Sequence, residues 1–154
     1  MALSEKESYS FAIGLLARRE HSARELMIKL DNRGVDREVA TRVITQLRAE
    51  RLQSDERFTE AYLRQRSGKG YGPLRIRMEL RERGIDDDLI SAQFRRAEEV
   101  GELEWFNLAS EVYRKKYGDH PVDGVKERAK RLRFMQHRGF DHEQVAAVLA
   151  DNRY

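Results

Sequence analysis

One short phrase occurs three times in this chain and limits what the chain can fold into. Leu30 followed by Arg33-Gly34-Val35-Asp36 returns as Leu80 with Arg83-Gly84-Ile85-Asp86, and again as Met135 with Arg138-Gly139-Phe140-Asp141. The second glycine lies 50 residues after the first, and the third lies 55 after the second. Each residue type has a mechanical task. The glycine takes the left-handed conformation that closes a helix. The apolar residue after it folds back onto the apolar residue four before it, and the Asp is placed to cap the next helix. The same apolar residue can staple to Ala40, Ile90 or Val145 one turn into that helix. The phrase reads as helix stop, corner and helix start, so three copies predict a tandem helical repeat.

The segments between the corners support an all-α chain of three tandem three-helix repeats, at 1–53, 54–101 and 102–154, forming an elongated, curved stack. In the first repeat, Phe11, Ala12, Leu15 and Leu16 recur at helical spacing over 5–19. Ser22 with Glu25 fits a capping box, and Val39, Ala40, Val43, Ile44 and Leu47 form the stripe of a third helix. In the second, Ser54 is placed to cap a helix carrying Phe58, Ala61 and Tyr62, and Ser67–Gly72 reads as a flexible glycine-rich break. Leu74–Leu80 alternates perfectly, as a strand would. Pro73 suits a helix start and Gly84 a helix stop, however, so the stretch is expected to be helical with Ile76 and Leu80 inward. In the third, Trp105, Leu108, Ala109, Val112 and Tyr113 are followed by a turn at 117–121. A basic helix with Val125, Ala129, Leu132 and Met135 inward comes next, then a last helix to about Ala150.

Composition narrows the function more than the fold. The 154 residues are 37% charged but also 40% hydrophobic, which is enough for helical packing. There is no cysteine, so disulfides and thiolate chemistry are excluded. No apolar run approaches a membrane span and no leader is evident, so a cytoplasmic protein is expected. The net charge is only +3, yet the charge is sorted along the chain. Arg64–Arg83 holds seven bases and two acids, Arg114–Arg138 nine and three, and Asp86–Glu104 seven acids and two bases. A surface sorted in this way suits docking on a partner that bears both signs.

No pattern supports catalysis, a metal or a cofactor. Asp86-Asp87-Asp88 fits the positive end of a helix better than a magnesium site. The four histidines lack ligand spacing, and Gly68-x-Gly70-x-Gly72 lacks the strand and the Lys-Ser/Thr pair of a phosphate loop. Arginine outnumbers lysine 23 to 7, which favours bidentate recognition of carboxylates or phosphates. Val39–Leu47 and Leu89–Ala97 carry few base-reading side chains and Asp86–Asp88 would repel a phosphate backbone, which argues against sequence-specific duplex recognition.

Asp55-Glu-Arg-Phe58, Arg64-x-Arg66, Gly70-x-Gly72 and Leu80-x-x-Arg83-Gly84-Ile85 together resemble the bacterial regulatory protein family RecX. The likeness continues in Trp105, Tyr113-Arg-Lys-Lys-Tyr-Gly118, Lys126-x-x-x-Lys130 and Arg138-Gly139-Phe140, and in Ala12-x-x-Leu15-Leu16, Glu25-Leu26 and Leu30, so it spans the chain. The resemblance implies a monomeric, non-enzymatic protein that binds the RecA recombinase filament on single-stranded DNA. Such a protein hinders RecA's ATPase, filament extension and strand exchange, and so tunes homologous recombination, DNA repair and the SOS response. The alternative is a helical-repeat protein that binds single- or double-stranded DNA directly and competes for it. The family carries no transferable short binding motif, so the expected contact residues are basic side chains near the repeat junctions. They are Arg18, Arg19, Arg24, Arg64, Arg66, Lys69, Arg75, Arg77, Lys115, Lys116 and Arg131.

Overall fold

The computed structural model of the chain describes residues 2–151. Among the described residues there are nine helices and no strand. The first repeat holds α1 (Glu5–Arg18), α2 (Ala23–Asn32) and α3 (Arg37–Ala49), and the second α4 (Asp55–Gly68), α5 (Pro73–Glu82) and α6 (Asp87–Glu99). The third holds α7 (Trp105–Tyr117), α8 (Gly124–His137) and α9 (His142–Asp151). The alternating stretch 74–80 lies wholly within α5, which starts at Pro73 as that residue's fixed φ and missing N–H favour.

The corners form as the repeated phrase requires. Gly34, Gly84 and Gly139 have φ of +77°, +82° and +99°. The next residue's N–H reaches back to the helix: Val35 to the Leu30 carbonyl at 3.1 Å, Ile85 to Leu80 at 3.1 Å, Phe140 to Met135 at 3.3 Å. The opening of the following helix is less uniform. Asp86 accepts from the Leu89 amide at 3.0 Å, and Asp141 exchanges two bonds with Gln144 in a capping box. Asp36 makes no side-chain cap, contrary to expectation, so its corner rests on the glycine and on Val35.

The chain divides into two compact units, Met1–Tyr62 with Leu80–Gln93, and Leu63–Glu79 with Phe94–Tyr154. Helices α4, α5 and α6 each contribute a segment to both units. In the first, α1, α2 and α3 pack on one another around Ala12, Leu26, Leu30, Val35, Val43 and Leu47. In the second, α7 and α8 pack on α9 around Ala109, Tyr113, Met135, Phe140, Val145 and Leu149. These helices are short and individually marginal in water, so the buried stripe supplies most of their stability.

Three further expectations fail. Ala61, placed on the stripe of α4, is exposed, and Leu63 is buried in its stead. Val125, placed inward by its spacing, is 84% exposed, at an open cleft that it lines with Val122, Arg128 and Leu149. The glycine-rich stretch is no flexible break. Helix α4 runs through Gly68, Gly70 closes it with φ +86°, and the Tyr71 amide returns to the Arg66 carbonyl at 3.1 Å.

Candidate partner-binding site

Each compact unit contains one glycine corner that another part of the chain sits against. In the first unit the start of α2 meets the corner between α5 and α6. The Ser22 hydroxyl donates to the Arg83 carbonyl at 2.8 Å, and a Cβ on Gly84 would stand 2.7 Å from the Cβ of Arg24. In the second unit the loop before α5 meets the corner between α8 and α9. The Gly72 amide donates to the Arg138 carbonyl at 2.7 Å and the Leu74 amide to the Gly139 carbonyl at 2.9 Å. A Cβ on Gly72 would stand 2.5 Å from the Gly139 carbonyl carbon. Glycine here supplies both the left-handed turn and the space for close approach.

The two corners share this mechanical plan but differ in charge. At the first, Arg83 lies 3.9 Å from Glu25 and 3.9 Å from Glu82, with its guanidinium 4.9 Å from the Tyr62 ring centroid. Glu25 also pairs with Arg19 at 3.1 Å. At the second, Arg75 stands 50 residues after Glu25, at the equivalent place, so the acid of the first corner becomes a base. Arg66, Arg75 and Arg138 approach the Tyr71 ring with guanidinium carbons 3.9, 4.5 and 5.0 Å from its centroid. Glu79 bridges two of them, at 2.9 and 3.0 Å from Arg66 and 3.2 Å from Arg75. Arg75 also donates to the His137 carbonyl at 3.1 Å, and Arg138 to the Lys69 carbonyl at 3.1 Å.

Beside this cluster lies a cleft of about 460 Å³, with Lys69, Lys115, Lys116 and Arg138 around it and Leu108, Val112 and Phe134 among its apolar residues. Among the described residues Glu111 is its one carboxylate. Arg138 joins the cleft to the Tyr71 cluster.

Five of the eleven expected contact residues therefore meet in one neighbourhood: Arg66, Lys69, Arg75, Lys115 and Lys116. The other six are placed elsewhere. Arg18 is exposed at the end of α1, and Arg24 lies along Gly84. Arg19 is tied to Glu25 and to the Glu20 carbonyl. Arg64 is exposed and 4.0 Å from Glu102, and Arg77 lies 5.0 Å from the Phe94 ring centroid.

Arg131 is consumed by the fold. It is 3% exposed, donates to Tyr113 Oη at 2.7 Å, His120 O at 3.0 Å, Pro121 O at 3.3 Å and Glu127 Oε1 at 2.9 Å, and has no face left for a partner. Burial works against its charge, but the bonds to Tyr113 and Glu127 outweigh it and push its pKa up. The charge runs by themselves do not mark Tyr71, Phe134 or Arg138 as members of this cluster. The signal for Arg138 was in the sequence, since an arginine precedes the glycine in all three corners.

Among the described residues no group of three or more His, Cys, Asp or Glu is gathered closely enough to hold a metal. No helix is long and apolar enough to cross a membrane.

Comparison with known proteins matches three family models along the chain. They are the first three-helix domain of RecX over 9–47, the second over 54–92 and the third over 102–149. A regulatory protein RecX from Chromohalobacter salexigens is 41% identical over 150 residues, covering 97% of this chain and 95% of its own. One from Pseudomonas entomophila is 37% identical over 139 residues, covering 90% and 87%. Among solved structures, RecX from Lactobacillus salivarius superposes with a TM-score of 0.78 at 17% identity over 96% of both chains, a likeness of fold.

Proposed function

This chain belongs to the RecX family, and from that premise we propose that it regulates the RecA recombinase by surface contact, with no chemistry of its own. In this reading it acts as a monomer in the cytoplasm. It binds the RecA filament on single-stranded DNA and hinders ATP hydrolysis, filament extension and strand exchange.

The observation that carries the proposal is the uncompensated charge of the second corner. Lys69, Lys115, Lys116 and Arg138 surround a cleft with a single carboxylate, whereas Arg83 of the first corner stands beside Glu25 and Glu82. Unneutralised bases on a rigid helical scaffold steer and orient an acidic partner surface. Of the arginines around Tyr71, Arg66 and Arg75 are held in place by Glu79 and Arg138 by the Lys69 carbonyl, so little side-chain entropy remains to be lost on binding. The proposed contact surface is therefore Arg66, Lys69, Arg75, Lys115 and Lys116 with Arg138, extended by the exposed Arg18, Arg24 and Arg64 and by Arg77.

The test is RecA ATP hydrolysis on single-stranded DNA with this protein far below the RecA concentration. The expected result is a loss of hydrolysis larger than the molar ratio, together with shorter filaments. Full hydrolysis with unchanged filament length would overturn the proposal. Tight binding to bare DNA that falls steeply with salt would instead favour competition for the nucleic acid.

A further inference from the structure

The cleft beside Tyr71 carries more information than its charge. Among the described residues no carboxylate pairs with Lys69, Lys115 or Lys116, and the Lys116 ammonium lies 5.4 Å from the Phe134 ring centroid. Glu111 on the same helix pairs with none of them. Leu108 and Val112, half-buried one turn apart on α7, add apolar surface beside these charges. A site of this kind accepts a chain with negative charges flanking an aliphatic group. The volume, about 460 Å³, suits a short segment of a few side chains.

Single-stranded nucleic acid fits less well for a specific reason. Sequence-tolerant strand binders stack bases on open aromatic faces. The two rings available here are already engaged by cations. Tyr71 lies among Arg66, Arg75 and Arg138, and Phe134 has Lys116 and Arg138 each 5.4 Å from its centroid and the Tyr117 ring at its edge, 5.7 Å away. Stacking a base would first require displacing an arginine or a lysine. An aliphatic side chain beside Leu108 and Val112 requires no such displacement.

We propose that this cleft receives a short acidic peptide segment of a partner protein, its carboxylates meeting Lys69, Lys115 and Lys116 and its aliphatic side chain lying against Leu108 and Val112. The inference deepens the reading of the chain as a protein-contacting regulator and rests on it. It adds the chemistry of the segment that is recognised. It also predicts a division of labour between the corners. At the first corner Arg83 is paired within the chain, and at the second Glu79 pairs Arg66 and Arg75 while Lys69, Lys115 and Lys116 are left for recognition.

The experiment uses the full chain and three probes of matched charge: a fluorescein-labelled peptide of glutamates and leucines, one of glutamates and glycines, and an oligothymidylate. The glutamate–leucine peptide is expected to bind about tenfold more tightly than either other probe, and the K69E/K115E/K116E variant is expected to lose about tenfold in its affinity. All three lysines are exposed, so the variant keeps the fold, and its circular dichroism verifies this. Equal binding of the glycine peptide would overturn the role of Leu108 and Val112. Equal binding of the oligothymidylate, or no loss in the lysine variant, would overturn the peptide receptor itself. Co-sedimentation of the wild-type protein with RecA filaments separates the two readings. Sedimentation without peptide binding refutes the cleft and leaves the family function standing. Peptide binding without sedimentation refutes RecA as the partner and leaves the cleft standing.

Discussion

The backbone amide of Gly72 donates to the carbonyl oxygen of Arg138 at 2.7 Å, across 66 residues of sequence. That bond brings two stretches of main chain together with no side chain between them. A Cβ on Gly72 would stand 2.5 Å from the Gly139 carbonyl, and one on Gly139 would overlap Arg75, 2.7 Å from its nitrogen.

Substitution at these glycines should therefore be graded by space. Gly101 has φ +77° with nothing within 4 Å of a built Cβ, so Gly101→Ala should cost only the left-handed penalty, about 1 kcal/mol. Gly139→Ala adds overlap with Arg75 and should cost about 2–4 kcal/mol. Thermal melts of the two variants provide the comparison. Equal melting temperatures would show that the corner opens without cost.

Arg131 should be among the least replaceable charged residues. Arg131→Met strands the Tyr113 hydroxyl and the carbonyls of His120 and Pro121, and should destabilise by about 2–4 kcal/mol. Arg131→Lys keeps the charge but not the planar fork that serves four acceptors, and should recover only part of the loss. Urea midpoints measure both. A neutral Arg131→Met would mean that these acceptors find water.

His21 gives the fold an acid-side dependence. Burial lowers its pKa, outweighing the 3.1 Å contact of its Nδ1 with the Arg19 carbonyl. Above about pH 6.5 the ring is neutral in both states and contributes no slope. As pH falls below that, the unfolded chain takes up the proton first, and stability is lost until the folded form also titrates. His21→Gln should flatten the decline in urea midpoint between about pH 7 and pH 5. An unchanged slope would place the proton uptake elsewhere.

Glu79 holds Arg66 and Arg75 from a site where its side chain is 11% exposed. Glu79→Gln leaves two guanidiniums crowded on Tyr71 and should cost about 2–4 kcal/mol. A double-mutant cycle with Arg66→Gln should show coupling of about 1–3 kcal/mol, since the two side chains share both bonds. Additive costs would show that the pair makes no joint contribution.

What the sequence reveals here is set by the range of the interaction. The corners at Gly34, Gly84 and Gly139 are legible because a helix stop uses residues within six positions of one another, and so is the helix at 74–80 once Pro73 and Gly84 are weighed against its alternation. Asp36 looks like a cap but is none, since the motif permits that bond without enforcing it. Val125 matches the apolar spacing of α8 yet is left exposed beside an open cleft, and spacing alone cannot show which apolar positions a neighbour covers. The seating of Gly72 on the α8–α9 corner joins residues more than sixty positions apart and has no local signature. Arg131 is hidden from a charge count for a different reason: its acceptors lie close in sequence, but three of the four, the Tyr113 hydroxyl and the carbonyls of His120 and Pro121, carry no charge.

The polypeptide passes from one compact unit to the other three times, between residues 62 and 63, 79 and 80, and 93 and 94, each time inside a helix. During synthesis the first unit thus lacks its closing corner until Gln93 has left the ribosome, although fifteen or more residues belonging to the second have already emerged. A fragment cut after residue 53 separates the first unit from part of its own interior, and one cut after residue 101 does the same to the second, however natural those points look in the repeat pattern. Inheritance of this fold is accordingly tied to the whole three-repeat chain, and loss or duplication of a single repeat would have to rebuild a corner as well as a bundle.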